Sequence, residues 1–318
     1  MSYLVDTESI NPYFNLAAEE YLFRRFSDEI VFLYINSPSV IIGKHQNAYE
    51  EINLKYIITN NIPVVRRISG GGSVFHDLGN LNFTFIGNKR EGSQINFAEQ
   101  TRPIIAFLEA KGLEPWLGDK NEIRVGDWKF SGNAEHLFKT RVLHHGTLLF
   151  SSQLSQLGEA LRRGDGVYQS RAVKSNRTNV GNLAPHLKDI NDIMEFKDEL
   201  GAMIMLSRPD ISVYKLSQED RLEINKLLEE KYSKDSWNYS YGPDYNFKNT
   251  FFFDGSSIEL AMDVKKGRIT NIKVLGNSEL EKAANKLIDS AHLYKNIRDV
   301  LISAMPEAND ELAMHFFR

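Results

Sequence analysis

Arg66-Arg67-Ile68-Ser69-Gly70-Gly71-Gly72-Ser73-Val74-Phe75-His76-Asp77 is the most informative stretch of this chain. Two guanidiniums run into three consecutive glycines, then a small hydroxyl, two bulky apolar residues and a His-Asp pair. Glycine loses more backbone freedom on folding than any other residue, so three together are costly. A chain tolerates them where backbone N–H groups must come close to something. Successive N–H groups in such a turn form a concave anion site, and neighbouring arginines offer planar positive charge to phosphate oxygens. The segment reads as a nucleotide-phosphate loop. It is not a Walker A loop, because no Gly-Lys-Ser/Thr follows, and the spacing G-x-G-x-x-G of a Rossmann fingerprint is absent. A glycine-rich hairpin turn is the plain alternative for the segment taken alone.

Working outward, Val64 to Arg67 reads as the strand that feeds this loop. Asn80 to Ile86 sets Asn80, Asn82 and Thr84 against Leu81, Phe83 and Phe85, the period of a half-buried strand. Upstream, Asn11-Pro12 opens a helix to about Phe26, with Asn as N-cap and Pro at the first helical position. Ile30 to Ile35 and Ser39 to Ile42 are strands separated by Ser37-Pro38. Downstream, Ala98 to Lys111 is helical in pattern, and Ile123 to Phe130 is a hairpin turning at Gly126-Asp127. Near residue 240 the texture changes to an aromatic, turn-rich segment and then a three-stranded meander over Phe251 to Leu275. Ser278-Glu279-Leu280-Glu281 reads as a capping box opening a helix, and a second helix covers Leu293 to Met305. These patterns predict two units, residues 1–240 and 241–318.

Composition removes whole classes of function. The chain of 318 residues is 42% hydrophobic and 25% charged, ordinary for a globular protein. A formal net charge of −4 argues against nucleic-acid binding driven by bulk charge. No run of 18 apolar residues is present, and no basic-then-apolar signal opens the sequence, so a cytoplasmic protein without a membrane partner is expected. There are no cysteines, which excludes disulfides, thiolate metal sites and a cysteine nucleophile together.

Three further constellations carry chemistry. In Gly126-Asp127-Trp128-Lys129-Phe130-Ser131-Gly132-Asn133-Ala134, a hairpin lysine sits between aromatics and a Ser-Gly-Asn turn. A lysine there can hold a carboxylate and a developing phosphate charge, although most lysines are merely solvated. In Leu143-His144-His145-Gly146-Thr147, adjacent strand histidines point to opposite faces, one inward and one outward, and cannot chelate one metal together. Lys174-Ser175-Asn176-Arg177-Thr178-Asn179-Val180 reads by itself as a solvated loop.

Taken together and in order, the glycine loop through Asn80, Lys129-Phe130-Ser131-Gly132-Asn133-Ala134 and His144-His145-Gly146-Thr147-Leu148-Leu149 resemble the lipoate–protein ligase A family. So do Asn15-Leu16-Ala17-x-Glu19-Glu20, Gly43-x-x-Gln46-Asn47 and Arg177-x-Asn179. The resemblance spans nearly the whole chain and implies an α+β fold. Its large mixed-sheet catalytic domain would be like that of biotin protein ligases and class II synthetases, with a small α+β accessory domain at the C-terminal end. It implies activation of lipoate by ATP to lipoyl-AMP and pyrophosphate, with Mg²⁺ accompanying ATP. The lipoyl group would then pass to a lysine of a lipoyl domain, of 2-oxoacid dehydrogenase complexes or of the glycine-cleavage carrier protein. Lys129 is the expected catalytic residue, contacting both substrates. Arg67, Gly72, Ser73, Val74 and Phe75 are expected at ATP, and Gly71, His76 and His145 at lipoate. Arg66, Asn121, Glu122 and Arg177 are further candidates, Asn121 and Glu122 for the metal. Val74, Phe75, Phe83 and Phe85 could line the acyl slot, and packing alone would place them in the core equally well.

Two positions depart from the family pattern: Lys44 and Glu122 stand where Arg and Asp are usual. Two other readings share this fold. One is an octanoyl or lipoyl carrier-protein acyltransferase, which works through a cysteine this chain lacks. The other is a non-catalytic acyl-binding relative, which would leave Lys129 and the glycine loop without a task.

Overall fold

Ile30 to Ile35, within the strand Glu29–Ile35, are all buried, so the sheet that holds them must be covered on both faces. In the computed structural model, which describes residues 1–88, 97–175 and 178–318, it is. Ile30, Phe32 and Tyr34 pack against Phe14, Leu22 and Phe23 of the first helix, Pro12–Arg25. Val31, Leu33 and Ile35 face the opposite layer, where Phe107 and Phe196 come from the helices Phe97–Ala110 and Ile193–Ser207. The sheet has six strands in the order 133–138, 141–149, 80–88, 29–35, 2–6, 211–215. Strand 2–6 pairs in parallel on both sides, and the remaining pairs are antiparallel. The first helix opens as its sequence predicts, with the Asn11 carboxamide accepting from Tyr13 N–H at 2.9 Å.

The strand Asn80–Asn88 departs from expectation. Its alternation predicts one solvated face, yet Asn80, Asn82 and Thr84 are as buried as Leu81, Phe83 and Phe85. The polar face is covered by protein and bonded there. Thr84 Oγ1 donates to Glu19 on the first helix at 2.6 Å, and Asn82 Nδ2 donates to Tyr34 O at 3.2 Å.

Two small sheets position the site. Ser39–Ile42 lies between Val64–Arg66, parallel, and Val74–His76, antiparallel. The glycine loop is therefore the link between two strands that flank one central strand. The hairpin Ile123–Val125 and Trp128–Ser131 turns at Gly126, whose φ of +52° is the left-handed value that a tight turn demands.

The C-terminal meander is Tyr245–Phe253, Ser256–Lys265 and Arg268–Leu275. Both of its two-residue turns, Asp254-Gly255 and Lys266-Gly267, hold positive φ throughout, as primed hairpin turns require. Its sheet gains a fourth strand from much earlier in the chain: Val167–Ser170 pairs antiparallel with Tyr245–Phe253 at the edge. The following helix is capped one residue before the expected Ser278. Asn277 accepts from Glu279 and Leu280 N–H groups at 3.0 and 2.9 Å, so no capping box forms. A short helix, Asp310–Met314, follows the second one and was not expected. Among the described residues no helix is long and apolar enough to cross a membrane.

Burial holds His292 and His76 at a pKa of about 3; the charge on Arg67 adds to the effect at His76. Both values lie below the 6.5 of an unfolded histidine, so the unfolded chain binds more protons between pH 3 and 6.5. Their stabilisation is fully present above pH 6.5 and is lost as pH falls through that window. Each histidine contributes up to about 1.4 kcal/mol per pH unit. The urea midpoint should drop from pH 7 to pH 5, and His292→Asn should flatten the dependence. A flat wild-type profile would show that the rings are not held neutral.

Candidate active site

Neighbouring strand residues project to opposite sides, and this separates the two arginines that the sequence places side by side. Arg66 turns away from the cavity. Its guanidinium donates to the carbonyls of Gly43, Lys44 and Gln46 at 3.0, 3.1 and 2.8 Å, and to those of Trp237 and Asn238 at 2.8 and 3.0 Å. It is fully buried and lines neither cavity, so the expectation that it meets a ligand is not met; it is a structural tie. Arg67 does reach the cavity wall. Much of its donor capacity is spent on the loop itself, with Nη2 bonded to Gly70 O at 2.6 Å and Gly72 O at 2.8 Å. Burial pushes its pKa down to about 10, against the pull of Glu19 and Tyr34, and it stays charged at neutral pH.

With its carbonyls turned to Arg67, the loop holds Gly71 at φ +86°. The Gly71 and Gly72 amides have no protein acceptor among the described residues, and both glycines line the cavity. Backbone approach is close here: a Cβ on Gly43 would come 2.1 Å from Gly71 O. Ser73 is held from two sides. Its N–H donates to Ser175 Oγ at 2.7 Å, and its hydroxyl donates to Gln46 Oε1 at 2.8 Å.

Lys129 enters from the hairpin. Its backbone is fixed by Lys129 N–H to Asn179 O at 3.1 Å and Gly181 N–H to Lys129 O at 3.0 Å. Its ammonium has no bonded partner among the described residues. Burial pushes its pKa below the lysine range, Glu122 pulls it back, and Arg124 and Lys120 lower it further. Burial raises the pKa of Glu122, but the N–H groups of Glu122 and Lys120 and the charges of Lys129 and Arg124 carry it below the ordinary value. The site thus presents a desolvated cation with one carboxylate nearby.

Two cavities meet at Lys129. The first, about 210 Å³, is walled by Leu16, Tyr34 and Ile41 on its apolar side. Arg67, Gly71, Gly72, His76, His145, Lys120 and Glu122 also line it. The second, about 240 Å³, is walled by Phe75, Leu149, Leu157 and Leu161, with Glu51 and Ser131 as polar groups. Ser73, Val74, Lys129, Gly132, Thr147, Ser175 and Thr178 border both. Phe83 and Phe85 line neither; they face the core layer of Phe107 and Phe196. Asn121 is also outside both cavities, in a left-handed turn with φ +61° where its carbonyl accepts from Asn133 Nδ2 at 2.6 Å. Arg177 lies outside the described residues.

The histidine pair also differs from expectation. Neither ring faces solvent, because both faces of the sheet are covered. His144 bonds Glu135 at 2.9 Å on one side of its strand, and His145 bonds Glu19 at 2.8 Å on the other. His76 accepts at Nδ1 from Asn36 Nδ2, 3.0 Å away, and is kept neutral by burial. Among the described residues no cluster of three His, Asp or Glu side chains is arranged to hold a metal by itself.

Sequence reasoning missed Ser175 and Thr178, whose segment reads as a solvated loop. Gln46 Nε2 donates to Ser175 Oγ and to Val173 O at 3.1 and 3.2 Å, which draws that segment over the glycine loop. The Ser-x-x-Thr spacing between basic residues was the one signal available.

Residues 11–204 match the lipoyl protein ligase A/B catalytic domain, and residues 242–310 match the bacterial lipoate protein ligase C-terminus. Over 307 residues the chain is 38% identical to lipoate–protein ligase 1 of Staphylococcus aureus, covering 95% of this chain and 93% of that protein. A crystal structure of lipoate-protein ligase A bound with ATP is similar at a TM-score of 0.63 and 26% identity, over 75% of this chain and 97% of that one. A bipartite lipoate protein ligase, studied with its E2 lipoyl domain from Thermoplasma acidophilum, gives a TM-score of 0.63 at 25% identity, over 75% and 96%.

Proposed function

The chain belongs to the lipoate–protein ligase family, and from that membership we propose that its two joined cavities hold the two halves of a lipoyl adenylate. The protein is an ATP-dependent lipoate–protein ligase. The observation that carries the assignment of its site is Lys129, a desolvated cation with no bonded partner among the described residues, at the junction of an acyl-sized slot and a second apolar chamber.

A free carboxylate is a poor acyl donor and must be activated as a mixed anhydride. Lipoate lies in the first cavity, its apolar chain against Leu16, Tyr34 and Ile41 and its carboxylate at Lys129. Adenosine occupies the second cavity beside Phe75 and Leu149. Lys129 brings the carboxylate and the α-phosphate together, and the Gly71 and Gly72 amides take up phosphate charge. A carboxylate oxygen attacks the α-phosphorus, the bond to pyrophosphate breaks, and lipoyl-AMP remains. A neutral lysine amine of the acceptor then attacks the acyl carbonyl. AMP leaves, the amine proton is released, and an amide is formed.

Magnesium with ATP needs one or two carboxylates besides phosphate oxygens and water. Glu122, an ionised carboxylate on the wall of the first cavity near Lys129, fits that need, and Asn121 as placed does not. When bound, the ion would neutralise phosphate charge. The acceptor is a lipoyl domain, of a 2-oxoacid dehydrogenase complex or the glycine-cleavage carrier protein; the archaeal relative studied with its E2 lipoyl domain supports this. The same proposal divides the chain into a catalytic unit, 1–240, and an accessory unit, 241–318.

Pyrophosphate release from ATP on adding lipoate tests the assignment. With no thiol to acylate, lipoyl-AMP should separate from the denatured enzyme, and the intact mass should be that of the unmodified chain. A stable acyl adduct, or ATP-independent transfer from an acyl carrier protein, would replace the ligase by an acyltransferase with another nucleophile.

The glycine loop is tested separately. A Cβ on Gly72 would sit 3.0–3.2 Å from three atoms of Ser175. Gly72→Val should therefore raise the KM for ATP more than that for lipoate. A change in thermal stability alone would return the segment to a plain hairpin.

A further inference from the structure

Glu19 anchors a buried chain of hydrogen bonds that ends on the glycine loop. Its Oε1 accepts from Thr84 Oγ1 at 2.6 Å and lies 2.8 Å from His145 Nδ1. His145 Nε2 is 2.6 Å from Ser69 Oγ, and Arg67 Nε donates to that same oxygen at 3.0 Å. Arg67 Nη2 then grips the carbonyls of Gly70 and Gly72. Glu19 is 1% exposed and Ser69 is 0% exposed, so water does not compete for these groups.

The proton positions follow from what each group can do. A carboxylate only accepts, so the imidazole proton of His145 sits on Nδ1. In the neutral ring Nε2 is then an acceptor, and the Ser69 hydroxyl donates to it. The Ser69 oxygen is left to accept from Arg67. The order carboxylate, imidazole, hydroxyl is that of a nucleophilic triad. Ser69 cannot serve as one, because it is buried, lines neither cavity and has its oxygen engaged by a guanidinium.

We propose that Glu19, acting through His145 and Ser69, is a positioning residue for the nucleotide loop. The relay fixes the Nε edge of Arg67, so that its Nη2 draws two loop carbonyls inward and the Gly71 and Gly72 amides are left to the cavity. This rests on the reading of that loop as the phosphate cradle. It explains why a carboxylate lies on the buried face of the first helix, far along the chain from any residue that touches ATP.

The test has two arms. In the folded wild type, ¹⁵N NMR of the His145 ring should show a neutral imidazole protonated at Nδ1; a proton on Nε2 would overturn the relay. In lipoate-dependent pyrophosphate exchange, Ser69→Ala and Glu19→Leu should each raise the KM for ATP about tenfold, the loss of roughly one buried hydrogen bond. The KM for lipoate, whose cavity His145 also lines, should rise less than that for ATP. The double variant should be no worse than the worse single one, because both break one chain. Glu19→Gln, whose carbonyl still accepts, should stay close to wild type. An unchanged KM for ATP in folded Ser69→Ala would also overturn the proposal. The tautomer is read on the wild type alone, so it decides the relay even if no pyrophosphate is released, a result that would sink only the proposed function.

Discussion

Lys129→Ala is expected to leave a folded protein that makes almost no lipoyl-AMP. The fold should survive because the strand is held by backbone bonds to Asn179 and Gly181, and among the described residues no side chain depends on a hydrogen bond from the ammonium. The chemistry should not. The carboxylate and the α-phosphate repel each other as they approach, and Lys129 is the cation at the junction of both cavities. Loss of one such charge contact at a reacting centre is worth about 3 kcal/mol, a rate loss of about a hundredfold or more. Transfer from purified lipoyl-AMP should suffer less, since the anhydride is already formed. Near-normal pyrophosphate release by a folded Lys129→Ala protein would remove Lys129 from the mechanism.

Arg66→Ala should act on stability. Five carbonyls from two distant segments, 43–46 and 237–238, converge on one buried guanidinium. Burial lowers its pKa to about 10, which leaves it charged at neutral pH. Removing it strands those acceptors, at a cost of about 4 kcal/mol. For a chain of this size the melting temperature should fall by about 6 °C. Arg66→Lys should rescue little, because three donors at a point cannot serve five carbonyls spread around a planar fork. A melting temperature within about 2 °C of wild type would show that water replaces the guanidinium without cost.

Arg67, the glycines, Ser73, Val74 and Lys129 were legible because their chemistry is local: a costly glycine run, and a lysine in a tight hairpin. Arg66 was misjudged because sequence proximity says nothing about which side of a strand a residue takes once both sides are buried. The same limit governs Asn80 to Thr84, where the alternation was real but the polar face was covered by the first helix. Glu19, Ser175 and Thr178 could not be placed from pattern alone. Each reaches the site through a crossing between elements far apart in the chain. Phe83 and Phe85 show the converse, since apolar residues beside a functional motif go to the core unless something calls them elsewhere.

The edge strand Val167–Ser170 has a bearing on how the molecule is made. Its pairing partner begins at Tyr245, some 75 residues later, and Tyr168 OH is bonded to Phe317 O. At about 5–20 residues per second on the ribosome, that strand waits about 4–15 s for a neighbour. Ser175 and Thr178, which follow it directly and border both cavities, wait with it. The six-stranded sheet can close as soon as Ile211–Lys215 has emerged. A nascent chain can therefore hold its central sheet assembled while the cavity beside Lys129 is still open on one side, and that cavity is finished only once Tyr245–Phe253 has emerged.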